Sequence, residues 1–318
     1  MNGVRAAVVG TGYLGRFHAQ KYARAEGATL VGVCDLDETA GRRVAAEVAA
    51  PYYADHRDLV GRVDAVTIAA STAAHFELAR FFLDRGVHVL VEKPMTRTSR
   101  EAAELSALAE ARRLKLQAGH IERFNPALLA AREGLDEVRF IECHRLAPFK
   151  HRGVDVDVVL DLMIHDLDVI LSLVDAPPAN VSAVGIAVLT ANVDVANARI
   201  EFENGAIANV TASRASTKPQ RKLRAWQDNR YVSIDFDAGT VQRVTSRASW
   251  QGDQSPLEQE SWGLEKGDAL LAETQAFVDA IRHDTPCLVS GRDAQAALEL
   301  AELITAEIDR RRAGSRGG

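Results

Sequence analysis

The sequence predicts an α/β protein in two parts, a doubly wound parallel sheet followed by a second, separate sheet that is mostly antiparallel. Up to about residue 118, short apolar runs alternate with longer helix-type segments, the order that lays helices on both faces of a parallel sheet. From about residue 181 the runs are β-type and closely spaced, which calls for hairpins. The chain has 318 residues, 47% of them hydrophobic and 26% charged, enough for two cores of ordinary soluble composition.

Residues 5–9 are a short β-type run. Gly10-Thr11-Gly12-Tyr13-Leu14-Gly15 follows, then a helix-type segment through Tyr22 and Ala25. In GxGxxG between a strand and a helix, the glycines serve a tight turn, close approach to a pyrophosphate, and helix–strand packing. The helix N-terminus adds free N–H groups for the phosphates. Residues 30–34 form a second run ending at Asp35, close to the offset of about 20 residues expected for the carboxylate that binds the adenosine ribose. A carboxylate there repels a 2′-phosphate, so NAD is the expected cofactor over NADP, although Arg42 and Arg43 follow on the next helix.

The alternation continues with a helix over 39–48, a strand over 65–69, a helix over 75–85 and a strand over 88–91. A helix over 99–113, with Ser99 as its N-cap, and a strand over 116–118 complete it. Ligands of such sheets bind at the carboxyl ends of the strands. Three loops lie there: 10–15, Ser71-Thr72-Ala73-Ala74-His75, and Glu92-Lys93-Pro94. Lys93 directly follows a buried strand, and Pro94 restricts it to an extended conformation. A boundary near Gly119 separates a cofactor domain, 1–119, from a substrate-binding and oligomerisation domain, 120–318.

In the second part, 125–133 reads as a linking helix and 138–145 as a strand. Residues 157–171 read as one buried helix, interrupted by Asp157, Asp161, His165 and Asp168 at steps of four, four and three. At about 100° per residue those side chains share a narrow stripe. Burying carboxylates and an imidazole is costly unless they are paired, so the stripe is a site candidate. A solvent-facing polar stripe is the alternative. Oxygen-rich metal sites usually recruit more than one helix, so no metal is expected. The runs 193–202 and 206–212 flank Glu203-Asn204-Gly205, a hairpin signal. Strands over 221–226, 231–236 and 240–244 follow, then a loop over 251–267 and helices over 269–283 and 293–310. The basic run 218–224 reads as a solvated strand, and Arg310-Arg311-Arg312 as part of a frayed tail. One face of the second sheet needs a cover, which a partner subunit would supply in a homodimer or homotetramer.

The net charge of -6 offers no broad basic field for nucleic acid or an anionic membrane. No apolar run is long enough to span a bilayer, and the N-terminus lacks signal-peptide anatomy. Cys34, Cys143 and Cys287 are far apart, which fits a reducing, cytoplasmic setting.

Together, the 10–15 loop, Asp35, His75 after the third strand, Glu92-Lys93-Pro94 and Asp161-x-x-x-His165 resemble the glucose–fructose oxidoreductase / inositol dehydrogenase / rhizopine-catabolism (Gfo/Idh/MocA) family of sugar dehydrogenases. The resemblance runs along nearly the whole chain. It implies an N-terminal Rossmann domain, a C-terminal α/β domain with a large open, mostly antiparallel sheet, and NAD-dependent oxidation of a sugar CH–OH. It also implies that Lys93, Asp161 and His165 flank the oxidised carbon. Gly10, Thr11, Gly12, Tyr13, Leu14, Gly15, Asp35, Ser71, Thr72, His75, Glu92 and Lys93 would then serve the cofactor. The strings 119–126 (GHIERFNP) and 155–166 (DVDVVLDLMIHD) resemble the branch acting on nucleotide sugars in lipid A assembly, which oxidises the 3-hydroxyl of UDP-N-acetylglucosamine. On that reading Arg123 and Arg152 are candidates for the UDP-sugar, from a basic set that includes His144, Arg145, Lys150 and His151, and Asp157 and Asp168 are candidates for reaching the substrate. A free polyol or monosaccharide of the inositol type is the alternative substrate. A non-catalytic NAD-binding sensor is the alternative class, which the presence of Lys93, Asp161 and His165 disfavours.

Overall fold

The computed structural model describes residues 3–150, 156–247, 255–265 and 267–315. The chain forms two compact units, Met1–Phe124 with Asp268–Ala296, and Asn125–Gly267 with Ala297–Gly318. The single boundary expected near Gly119 is therefore replaced by three crossings. The helix Ala269–His283 (α7) is the reason, because it places Phe277 and Val278 in the core of the first unit. Its apolar face is legible in the sequence, but which core it completes is not.

In the first unit, Val4–Val9 (β1), Ala28–Cys34 (β2), Tyr52–Tyr53 (β3), Ala65–Ile68 (β4), His88–Glu92 (β5) and Leu116–Gly119 (β6) form one parallel sheet. Its order is β3-β2-β1-β4-β5-β6, and every pairing is parallel. The order reverses between β1 and β4, which puts a crevice at the carboxyl ends of the strands. The helices are Tyr13–Tyr22 (α1), Glu38–Glu47 (α2), Thr72–Leu83 (α3) and Ser99–Arg112 (α4). Each follows its predicted segment. Two details differ. β3 was not expected, because two residues are too short to show alternation; Tyr52 and Tyr53 pack their rings where Gly41 and Gly32 lack a Cβ. The N-cap of α4 is Thr98, whose hydroxyl accepts from the Glu101 amide, not Ser99.

In the second unit, Asn125 caps the helix Pro126–Arg132 (α5) by accepting from the Ala127 amide. The strands are Phe140–Leu146 (β7), Pro178–Ile186 (β8), Val195–Phe202 (β9), Ile207–Ser213 (β10), Gln220–Trp226 (β11), Arg230–Asp235 (β12), Thr240–Ser246 (β13) and Leu257–Gly263 (β14). They form one sheet, β14-β13-β12-β11-β7-β10-β9-β8, antiparallel at every pair except β7 with β10. The Asn-Gly hairpin joins β9 to β10, with Gly205 at φ +81°. One face is apolar: Ala196, Ala198, Ile200 and Phe202 of β9 are buried, and the intervening Asn197 and Arg199 are exposed.

Three expectations fail here. The predicted loop over 251–267 contains β14, an edge strand whose Glu258, Gln259, Glu260 and Ser261 are exposed and so leave no apolar alternation to read. The basic tail is not frayed at Arg310–Arg312: the helix Gly291–Ser315 (α8) runs through it, and Arg310 and Arg311 both pair with Glu307. The predicted single helix over 157–171 is a π-helical turn, Val159–Met163, leading into Ile164–Leu173 (α6). A π turn bonds i to i+5, so the 100° step behind the stripe does not hold across it.

Candidate active site

The glycine loop closes against the protein itself at two points. Gly10 has φ +91°, and a Cβ there would lie 2.7 Å from the backbone of Ala69 and Ala70. A Cβ on Gly15 would lie 1.8 Å from the Gly10 carbonyl oxygen. A Cβ on Gly12 would meet nothing within 4 Å, so that glycine keeps space open outside the loop. This is the division of labour a bound pyrophosphate requires. Tyr13 and Leu14 are exposed at the start of α1.

Thr11 is buried, and its amide and hydroxyl both donate to Asp35 Oδ2, at 2.5 and 2.7 Å. The Asp37 amide donates to Asp35 Oδ1 at 2.9 Å. Burial pushes the Asp35 carboxyl up, but these donors outweigh it and hold the group below its ordinary range. Arg42 is engaged elsewhere, 2.7 Å from Glu38 and 5.2 Å over the Tyr52 ring. An anionic Asp35 with the nearby guanidinium occupied fits the ribose of NAD and disfavours a 2′-phosphate. Asp35→Ser is expected to weaken NADH binding by about 1.5–3 kcal/mol, the worth of a hydrogen bond to a charged group, and to narrow the preference over NADPH. Fluorescence titration with both cofactors measures this, and an unchanged NADH/NADPH ratio would overturn the assignment.

Ser71 is exposed at the N-cap of α3, with Thr72 half-buried beside it. His75 lies deeper. It is 1% exposed, with Nδ1 3.0 Å from the Pro94 carbonyl and Nε2 3.1 Å from the Ala70 carbonyl. Burial lowers its pKa. His75 thus braces the loop after β4 against the loop after β5. Glu92 is buried: Oε1 meets His18 Nε2 at 2.8 Å, and Oε2 accepts the Lys93 amide at 3.1 Å. Burial pushes the Glu92 carboxyl up, but His18 and Lys93 outweigh it and hold it below its ordinary range. Lys93 is half-buried at the end of β5. His18 was missed by the sequence reading. The available signal was its place in the buried set Gly15, His18, Ala19 and Tyr22, an imidazole on the inner face of α1.

In the second unit the stripe separates into distinct positions. Asp157 Oδ1 accepts from the Val159 and Leu160 amides at 2.9 and 3.0 Å, capping the π turn. Asp161 and His165 are half-buried, and Asp161 Oδ2 lies 4.0 Å from Arg214 Nη1. Arg214 is itself buried, donating from Nε to Asp194 Oδ1 at 3.0 Å. Asp194 Oδ2 in turn accepts the amides of Val188, Leu189 and Thr190. Burial opposes the Asp194 charge, but these donors outweigh it and lower its pKa. Asp168 is 1% exposed.

The basic residues divide similarly. Arg145 is buried and forms a two-pronged pair with Asp166, 2.8 Å on each side. Arg123 is buried in the first unit and donates to the Leu288 carbonyl at 3.1 Å. His151 and Arg152 lie outside the described residues. Of the residues expected to reach substrate, Asp157 caps a helix, Asp168 is enclosed and Arg123 ties a loop. Arg214, Asp194 and Asp166 carry no motif, and only their partners give them meaning. Among the described residues, no cluster of three or more His, Cys, Asp or Glu could hold a metal ion, and no helix is long and apolar enough to cross a membrane.

Comparison with known proteins agrees with this geometry. Residues 4–120 match the NAD-binding Rossmann-fold model of the GFO/IDH/MocA oxidoreductase family, and residues 134–242 match the GFO/IDH/MocA C-terminal domain. The UDP-N-acetylglucosamine 3-dehydrogenase of Acidithiobacillus ferrooxidans is 40% identical over 312 residues, covering 96% of this chain and 99% of that protein. Its solved structure superposes with a TM-score of 0.92, covering 98% and 99% of the two chains at 39% identity. The scyllo-inositol 2-dehydrogenase (NAD(+)) of Bacillus subtilis is 30% identical, covering 95% of this chain and 93% of its own. The chain belongs to the GFO/IDH/MocA family of NAD-binding oxidoreductases.

Proposed function

We propose that this protein oxidises the 3-hydroxyl of UDP-N-acetylglucosamine to the 3-keto sugar with NAD. The observation that carries the reading is the near-complete coverage at 40% identity of a relative bearing that activity in its name. The presence of Lys93, Asp161 and His165 supports it, since these are the groups such chemistry needs. NAD, when bound, accepts the hydride from the carbinol carbon. His165 takes the hydroxyl proton, because imidazole titrates near working pH. Asp161, kept in place beside Arg214, orients the imidazole or a neighbouring hydroxyl. Lys93 stabilises the charge developing on the oxygen. Its amide is fixed by Glu92, so the loop that presents it is preorganised.

A second reading, a free polyol as substrate, is favoured by the 30% identity to an inositol dehydrogenase along nearly the whole chain. Following NADH formation with UDP-N-acetylglucosamine, inositol and glucose separates the two. The nucleotide sugar is expected to give the highest kcat/KM, and a higher value for inositol would overturn the proposal. Tight NAD binding without turnover of any sugar would instead mark a sensor. A place in lipid A assembly, with an aminotransferase consuming the keto sugar, belongs to the same proposal. So do a cytoplasmic location, in keeping with three free cysteines, and self-association as a homodimer or homotetramer through the second sheet. Phe140, Trp226 and Tyr231 stack side by side on the face opposite the core, with ring centroids 5.1 and 5.0 Å apart.

A further inference from the structure

The helix α7 carries a carboxyl into the interior of the first unit. Glu273 is fully enclosed, and neither of its carboxyl oxygens has a hydrogen-bond partner. Several of the buried polar groups around it spend their hydrogen bonds elsewhere. Glu92 is bound by His18 and the Lys93 amide. The Tyr22 hydroxyl meets Thr67, and Gln117 donates to the backbone carbonyl of Glu273 rather than to its side chain. The elements packed on α7 are α1, the 3-10 turn Ile121–Phe124 and β1. Beyond His18 and Tyr22 they bring Tyr13, Arg16, Lys21, Glu122, Arg123 and Arg5, with the buried His120 directly before the turn; Arg16 bonds Glu47. Lys21 pairs with Asp268, Arg5 with Asp64, and Arg123 donates to Leu288.

An ionised carboxylate without donor or counter-charge in a closed interior is heavily penalised. A like charge nearby adds to the penalty, so two neighbouring carboxyls divide into one anion and one acid. Glu92 has the donors and Glu273 has none. The proton therefore resides on Glu273. Burial first, and then the charge of Glu92, push Glu273 well above the carboxylate range, while Glu92 stays below it.

We propose that Glu273 is a positioning residue: as a neutral acid it sets no second charge beside Glu92 beneath the Lys93 loop, and its ionisation disturbs that loop and ends turnover. The kinetic part rests on the role proposed above for Lys93. Glu273→Gln keeps size and neutrality but cannot ionise. A raised native pKa stabilises the fold fully below the ordinary value of 4.5, and that stabilisation is lost as pH rises through the native pKa. Above pH 4.5, the unfolding equilibrium constant of the wild type should therefore rise more steeply than that of Glu273→Gln, by about tenfold per pH unit, until Glu273 ionises. The alkaline limb of kcat/KM should move upward by about one pH unit or more in the variant.

Superimposable stability and rate profiles would overturn the proposal. So would a loss of rate at neutral pH in Glu273→Gln with the alkaline limb unmoved, because that pattern belongs to a group working as an anion. If the variant does not fold, infrared titration of the wild type decides. A protonated-carboxyl stretch present at neutral pH and lost on alkaline titration supports the assignment, and its absence at neutral pH overturns it. Unfolding and infrared measurements need no sugar, so their outcome is independent of which substrate the enzyme takes.

Discussion

Lys93→Ala and His165→Ala are each expected to lower kcat by about 10²–10⁴-fold, the range for removing a positioned proton acceptor or a charge-stabilising group. NAD affinity should change much less, because the glycine loop and Asp35 hold their geometry without either side chain. Single-turnover reduction of NAD, with NAD binding measured separately, is the test. Near-wild-type rates in both variants would remove these two residues from the chemistry. Lys93→Ala deletes a cation that the Glu92 carboxylate feels directly, so a small upward drift in the Glu92 pKa is part of the same expectation.

Asp166→Ala is expected to destabilise the second unit by about 3–5 kcal/mol, the cost of leaving a buried partner charge uncompensated. The stranded group is Arg145, enclosed on β7 with both prongs committed to Asp166. Urea unfolding of the variant measures the loss. A double replacement by apolar residues of similar volume should recover much of it, since the pair's desolvation penalty vanishes along with its attraction. A single-variant loss below about 1 kcal/mol would mean that the pair is solvated in solution.

These two predictions also mark how far sequence reasoning reaches. Lys93 is singled out because Glu-Lys-Pro ends a buried strand, and the glycine loop because three glycines at fixed spacing sit between a strand and a helix. Both signals are local. The Arg145–Asp166 pair is not: its members lie on different elements, and the sequence places Arg145 only in a basic set considered for a UDP-sugar. Arg214, Asp194 and Glu273 were missed for the same reason. The steps of four, four and three from Asp157 to Asp168 flag polar groups inside an apolar segment, of which Asp168 is buried and the other three are half-buried. They suggested one common face, whereas the π turn gives them separate duties as cap, candidate site pair and enclosed carboxyl. Periodicity assumes a helix type, and a π turn breaks the assumption without leaving a compositional mark.

The return of α7 to the first unit has a consequence for the order in which this protein is made. Domains generally fold as units, N-terminal first, while synthesis proceeds. Here the strands of the parallel sheet are complete at residue 119, yet Phe277 and Val278 arrive only after the whole segment 125–267 has been added. Until then the apolar surface that α7 covers, including Ala19 and Tyr22 of α1, has no lid from its own chain. The half of the molecule that begins first is therefore finished late, and a chain halted near residue 124 would present a complete sheet with a sticky, uncovered helix layer rather than a small cofactor-binding protein.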